Sequence, residues 1–340
     1  MDNSKIPVLV LFGPTASGKT DTLLEILNST AGTAPPIEVI SADSMQVYRG
    51  MDIGTAKPSI EERTALPHHL IDICDPSEQF NAGDFVRLAE EACIDIARRG
   101  KLPVISGGTG FYLKNFIMGL SEAPPSNPEI RAVLEEELKK NGALSLKNEL
   151  AAVDPVSAER IHINDEYRLL RALEVYRSSG KPLSSYKAPT LGIACAGTEL
   201  ARAALAPEFA RAGIACAALG TELKNSPSER FNFTIIGLSR PRKELYRRIN
   251  ERTAQMFKQG LPNEVRALYE KGYTPNDPGL RAIGYREFFV NDEDGAWRLS
   301  EDMEGVQALV AQNSRHYAKR QITFFAGIPN VNWIELKEAI

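Results

Sequence analysis

Residues 8–20 read VLVLFGPTASGKT, an apolar run that empties into Gly13, Gly18, Lys19 and Thr20. The spacing G-x-x-x-x-G-K-T is that of a loop whose backbone N–H groups wrap a di- or triphosphate. Such a loop calls for a strand before it and a helix after it, because the helix N-terminal dipole must face the same anion. Leu23, Leu24, Ile26 and Leu27 supply that helix. The glycines let the chain bend tightly around phosphate oxygens, Lys19 neutralises charge, and Thr20 offers a hydroxyl to Mg²⁺. Gly13, Pro14, Thr15, Ala16, Ser17, Gly18, Lys19 and Thr20 are therefore the expected phosphate cradle. A Gly-containing surface turn is the plain competing reading.

Strand-like runs at 7–12, 37–41, 68–73, 102–106 and 231–238 alternate with helical patterns, the mark of a parallel sheet covered on both faces. The expected class is α/β, a P-loop NTPase-like parallel sheet covered by helices. Between 121 and 229 the alternation stops, and helical stretches such as 128–142 and 165–180 take over, broken by Pro and Gly. The expected organisation is a core in two parts, 1–120 and 230–340, around a mostly helical insertion domain at 121–229, with helices finishing the chain. At 340 residues such a chain can bury a large core. Cys74, Cys93, Cys195 and Cys216 form no C-x-x-C pair, so neither a zinc site nor a disulfide framework is suggested. No apolar run reaches membrane-spanning length, and MDNSKIP lacks the basic and hydrophobic regions of a signal peptide. A cytoplasmic, monomeric protein with no membrane partner is expected.

The motif alone leaves the owner of the phosphate open, since kinases, hydrolases and some transferases share it. In IEVISADSMQVYRGMDIGTAKPS (37–59) a β-branched strand leads into Ser41, Asp43 and Ser44, at the sheet edge where ligands sit in open parallel sheets. Asp43 reads equally as a Mg²⁺ ligand, a general base or a cap on the next turn. Gly107, Gly108 and Thr109 follow a further strand in the same way, although a Gly-Gly after a strand is otherwise an ordinary tight turn.

GPTASGKT (13–20), SADSMQVYRGMDIGTAKP (41–58), PHHLIDICDP (67–76), FNAGDF (80–85), PVISGGTGFYLK (103–114), RALEVY (171–176) with GKPLS (180–184), RAIGYRE (281–287) and KRQITFF (319–325) occur in that order. Together they resemble the tRNA dimethylallyltransferases, the IPP transferase family, over nearly the whole chain. The resemblance implies transfer of a dimethylallyl group from dimethylallyl diphosphate to N6 of the adenosine adjoining the anticodon's 3′ end, in tRNAs reading codons that begin with U. It implies a prenyl diphosphate in the loop, Lys19 and Thr20 with Mg²⁺ on the diphosphate, Asp43 as general base and Arg252 at the leaving group. The types suit the chemistry. Diphosphate leaves an allylic carbon when cations and amides meet its growing charge, and an amine under alkylation must lose a proton. On its own, Arg252 is a helix-surface arginine paired with Glu251 or another neighbour.

Net charge is −4, whereas nucleic-acid binding normally needs a basic face. Distribution offsets the sum: RPRKELYRRINER (240–252) holds six Arg or Lys against two Glu, and Arg315, His316, Lys319 and Arg320 recur at helical spacing. The resemblance implies tRNA contacts at Asp43, Ser44, Met45, Gln46, Thr109, Arg131, Tyr167, Arg168, Arg171, Arg281, Gly284, Tyr285, Arg286, Lys319, Arg320 and Gln321. Taken one at a time, basic helix faces are usually only solvated. The target base must also leave its stack to reach a buried donor.

Several features stand apart from this pattern. Residues 188–229 hold a near repeat, GIACAGTEL and GIACAALGTEL, where relatives have a short connection. It reads as a duplication tolerated in a surface loop. His68 and His69 are expected to shape the pocket or cap a strand, His162 to be structural, and His316 to lie near phosphate. Phe111-Tyr112 and Phe324-Phe325 read as core. Three rival functions remain: a P-loop kinase, an isopentenyltransferase acting on free AMP or ADP, and an RNA-binding protein that merely keeps a phosphate loop.

Overall fold

The computed structural model describes residues 5–29, 35–186 and 230–336. Among them two compact units separate, one running up to Ile117 and resuming at 230, the other beginning at Met118. The repeat at 188–229, with Cys195 and Cys216, lies outside the described residues, as does the boundary expected near 229.

The larger unit is built on a six-stranded sheet ordered β3-β2-β4-β1-β5-β8. Its strands are β1 (Ile6–Phe12), β2 (Ile37–Ser41), β3 (His68–His69), β4 (Leu102–Gly107), β5 (Phe231–Ser239) and β8 (Asn332–Glu335), and all neighbours run parallel. A parallel strand covered on both faces can be apolar throughout, and β1 is. Leu9 and Leu11 join a buried cluster with Leu23 and Ile26 of α1 (Lys19–Ser29), while Phe12 meets Phe325 and Trp333 at 4.7 and 5.7 Å between ring centres. The helices α2 (Ile60–Ala65) and α3 (Ala82–Arg98) connect β2 to β3 and β3 to β4, and α4 (Gly110–Met118) follows β4. Phe85 of α3 stacks on Tyr112 of α4 at 4.7 Å, and Phe116 of α4 packs on Phe231 and Phe233 of β5.

The second unit contains α5 (Pro128–Val153), α6 (Pro155–Arg160) and α7 (Glu166–Ser179). Gly142 breaks α5 with a φ of 75°, a conformation that costs glycine little. Leu134, Leu146, Leu150, Ile161, Leu169 and Leu173 close its own apolar core. Buried Glu174 accepts from the Ser126 hydroxyl and the Asn127 N–H at 2.6 Å each.

Beyond β5 come α8 (Arg242–Lys258), α9 (Leu261–Glu270), an antiparallel pair β6 (Phe289–Asn291) and β7 (Trp297–Leu299), and α10 (Met303–Phe325). The sequence reading of helices finishing the chain therefore needs correcting. The β6–β7 hairpin precedes α10, and β8 returns to the sheet after it, a four-residue edge strand too short to carry a periodicity signal. The expected strand at 68–73 is two residues long, because Leu70 and Asp72 take φ values of 62° and 58°, outside the extended region.

Candidate active site

Four connections meet at the C-terminal edge of the sheet, where parallel folds place ligands: residues 13–18 after β1, Asp43 after β2, Gly108 and Thr109 after β4, and Arg240 after β5. The loop after β1 turns at Ala16 (φ 63°) and Gly18 (φ 101°). Left-handed residues in such a turn aim successive N–H groups into one concavity, an anion nest. Its carbonyls point outward and are met by cations. Arg248 Nε donates to Ala16 O at 2.9 Å and Arg240 Nε to Ser17 O at 2.8 Å, while Lys19 Nζ folds back on Gly13 O and Pro14 O at 3.0 and 3.1 Å.

Gln321 of α10 clamps the loop to the end of β4. Its Oε1 accepts from Thr15 N at 2.8 Å, and its Nε2 donates to Gly108 O at 2.7 Å. Only glycine fits at 107, where a Cβ would come within 2.1 Å of the backbone Ala42 O; at 108 a Cβ would come within 2.5 Å of Gln321 Nε2, the end of the clamping side chain. Gly107 thus marks a close crossing of backbones, more than a tight turn.

Asp43 Oδ1 accepts from Met45 N at 2.9 Å and Gln46 N at 3.3 Å. The capping role read from sequence is present, and it uses one carboxylate oxygen. Gln46 is tied down by Ser41, whose hydroxyl donates to its Oε1 at 2.9 Å. Thr109 Oγ1 accepts from Ser44 N at 2.9 Å.

These groups line one cleft of about 570 Å³, which Thr15, Ala16, Gly18, Lys19, Thr20, Asp43, Gln46, Gly108, Arg248, Arg252, Tyr317 and Gln321 share. Arg252 faces it, 3.4 Å from Thr15 Oγ1. The alternative pairing with Glu251 is not made, since Glu251 takes Arg247 at 2.7 Å. Burial and, less strongly, the nearby Arg252 lower the Lys19 ammonium, Asp43 pulls the other way, and the balance brings it to about 8. Arg252 is likewise pushed down by burial, with Asp43 opposing. Two partly buried cations held close together repel each other unless an anion joins them. Thr20, in the first turn of α1, is the hydroxyl available to a divalent ion, and no group of three His, Cys, Asp or Glu among the described residues forms a cage. An oxygen donor beside a phosphate cradle fits Mg²⁺, which is commonly held through substrate phosphates.

Other expected residues lie elsewhere. Arg131, Tyr167, Arg168 and Arg171 belong to the second unit. There the Arg131 guanidinium sits 5.0 Å over the Tyr167 ring, and Tyr167 and Arg168 are exposed. Arg171, by contrast, is committed to Glu174 at 3.1 Å and to Pro124 O. Arg281, Arg286, Lys319 and Arg320 are exposed, and Gly284 turns the chain at φ 98°. Tyr285 requires correction as an RNA-contacting side chain: it is fully buried, its hydroxyl donating to Glu264 at 2.6 Å. His68 and His69 do not line the cleft. His69 Nε2 is 2.7 Å from Glu38, which Arg99 and Lys101 also hold. His162 and His316 are exposed. Of the aromatic pairs, Tyr112 and Phe325 are core, whereas Phe111 and Phe324 are exposed. Tyr317, Arg240 and Arg248 were missed as site residues. Arg248 stands one helical turn before Arg252, and Tyr317 one turn before Gln321, which is the signal that could have found them.

Residues 46–327 match the IPP transferase family. A tRNA dimethylallyltransferase of Geobacter sulfurreducens is 40% identical over 98% of this chain and 93% of its own. The full-length tRNA isopentenylpyrophosphate transferase of Bacillus halodurans superposes with a TM-score of 0.60 at 35% identity, over 97% of this chain and 90% of that one. A eukaryotic dimethylallyltransferase solved acting on tRNA gives 0.67 at 26% identity, over 98% and 74%. With a family match spanning most of the sequence, and relatives of this identity along nearly its full length, the chain belongs to the IPP transferase family.

Proposed function

We propose that the protein transfers a dimethylallyl group from dimethylallyl diphosphate to N6 of the adenosine adjoining the 3′ end of the anticodon, in tRNAs reading codons that begin with U, and releases diphosphate. One observation carries the reading: a phosphate cradle with two partly buried cations and a carboxylate open on one oxygen share a single cleft. The amine attacks the allylic carbon as the carbon–oxygen bond to diphosphate breaks, and the amine proton passes to Asp43. Lys19, Arg252 and those loop N–H groups not already donated within the protein, as Thr15 N is to Gln321 and Ser17 N to Pro14 O, meet the leaving charge, which preorganised donors stabilise more than they do the ground state. Thr20 would hold Mg²⁺, which when bound supplies further neutralisation of the diphosphate.

The RNA contacts are assigned to Ser44, Met45, Gln46 and Thr109 near the cleft, to Arg281, Gly284, Arg286, Lys319 and Arg320 in the larger unit, and to Arg131, Tyr167 and Arg168 in the helical unit, Gln321 being a clamp on the loop instead. No helix among the described residues is long and apolar enough to cross a membrane, and a monomer acting in the cytoplasm, where tRNA is, fits the reading.

Asp43→Asn tests it, because Asn keeps an oxygen for the Met45 and Gln46 N–H groups while losing the basic carboxylate. Wild type with Mg²⁺ and radiolabelled dimethylallyl diphosphate should label an unmodified anticodon stem-loop and leave free AMP unlabelled. The variant should lose about 10²–10⁴-fold in kcat with its melting temperature unchanged. Label on AMP would assign the protein to the enzymes that prenylate free nucleotides, and ATP turnover without label would make it a kinase or hydrolase.

A further inference from the structure

Tyr317 lines the same cleft as Asp43, Gly108 and Gln321, yet nothing in the proposed chemistry uses it. It projects from α10 one turn before Gln321, whose side chain is spent on Thr15 and Gly108. Its phenol lies among the Thr109 and Gln321 side chains, which favour its anion, and near the Asp43 carboxylate, which opposes it. Burial and Asp43 together push it up to about 12, so the hydroxyl stays protonated at neutral pH. The phenol is thus a protonated hydrogen-bond donor on the wall of the cleft that also holds Asp43.

We propose that Tyr317 is a specificity-determining residue whose hydroxyl donates to a ring nitrogen of the acceptor adenine flanking its amino group. This rests on the reading of Asp43 as the base at that amine. Adenine places an N–H donor at C6 beside acceptor nitrogens on both its Watson–Crick and Hoogsteen edges, and a base turned out of its stack is read on those edges. Asp43 accepts from the amine and Tyr317 donates to the neighbouring nitrogen. Guanine fails this pair at its C6 oxygen, which offers Asp43 no proton.

Tyr317→Phe keeps the ring and removes the donor. Wild type and variant are compared on three synthetic anticodon stem-loops carrying adenosine, 1-deazaadenosine or 7-deazaadenosine at the target. On adenosine the variant should lose about three- to tenfold in kcat/KM, the loss expected of one neutral hydrogen bond, with KM for dimethylallyl diphosphate unchanged. On one of the two deaza substrates wild type and variant should be equal, which names the nitrogen. Equal loss on all three, no loss on adenosine, or a change only in KM for the prenyl donor overturns the assignment while the tRNA reading stands. A wild type that labels no stem-loop overturns both.

Discussion

Lys19 shows how one residue can be legible in type and illegible in state. Its place in the motif assigned it to phosphate, yet in the structure it is turned onto the Gly13 and Pro14 carbonyls and brought to about 8 by burial and Arg252. A diphosphate favours the ammonium, so binding works below that value and falls as pH rises through it. The dissociation constant of inorganic diphosphate should therefore weaken above about pH 8, approaching tenfold per pH unit. Calorimetry on Lys19→Arg corrects for the ligand's own ionisation, and there the break near 8 should vanish. A break persisting in that variant would mean another group binds the proton. Tyr317 is the opposite case. A tyrosine amid basic helix residues carries no motif, and only folding of α10 against the end of β4 turns it into a member of the cleft.

Among elements, the segment 51–57 depends on a side chain more than 200 residues away. Glu264 of α9 accepts from Asp52 N at 3.0 Å, Ile53 N at 2.8 Å, Gly54 N at 3.2 Å and the Tyr285 hydroxyl at 2.6 Å. Gly54 is required there, since a Cβ would meet the Tyr285 ring at 2.5 Å. Thr55 and Ala56, in the same segment, reach the cleft and hold Gln46 Nε2 through their carbonyls. Glu264→Gln is isosteric but offers one acceptor oxygen and an NH₂ that faces donors. It should cost about 2–4 kcal/mol of stability, read as a lower urea midpoint with the slope unchanged. An unchanged midpoint would show that water replaces the carboxylate at no cost. The sequence pattern drew attention to both DIGTAKP and RAIGYRE, and read Tyr285 of the second as an RNA contact, because local pattern cannot distinguish a residue that touches a ligand from one that props the loop that does. The apolar strands β1, β2, β4 and β5 were readable from their β-branched and apolar runs. β3 was read in the right place but too long, since left-handed Leu70 and Asp72 stop it, and the β6–β7 pair and β8 were not read, since each is set by a partner strand instead of its own periodicity.

At the scale of the whole molecule, a chain of net charge −4 is assigned to a polyanion, so its attraction must come from local clusters and should appear in the salt dependence of binding. Each phosphate contact releases counterions, and removing one contact lowers the magnitude of the slope of log Kd against log salt by about 0.7–1. Lys319 on α10 and Arg168 on α7 are exposed, one in each compact unit. The Arg168 pairing with Asp165 at 2.8 Å is a surface ion pair, whose loss costs little stability. Lys319→Ala and Arg168→Ala should each flatten the slope for an anticodon stem-loop by that amount, and the double variant by the sum. Additive flattening, measured by fluorescence anisotropy across a salt series, would mean that both units take phosphate independently. A change in only one variant would confine the RNA to that unit, and no change in either would return both helices to the ordinary status of basic faces in water.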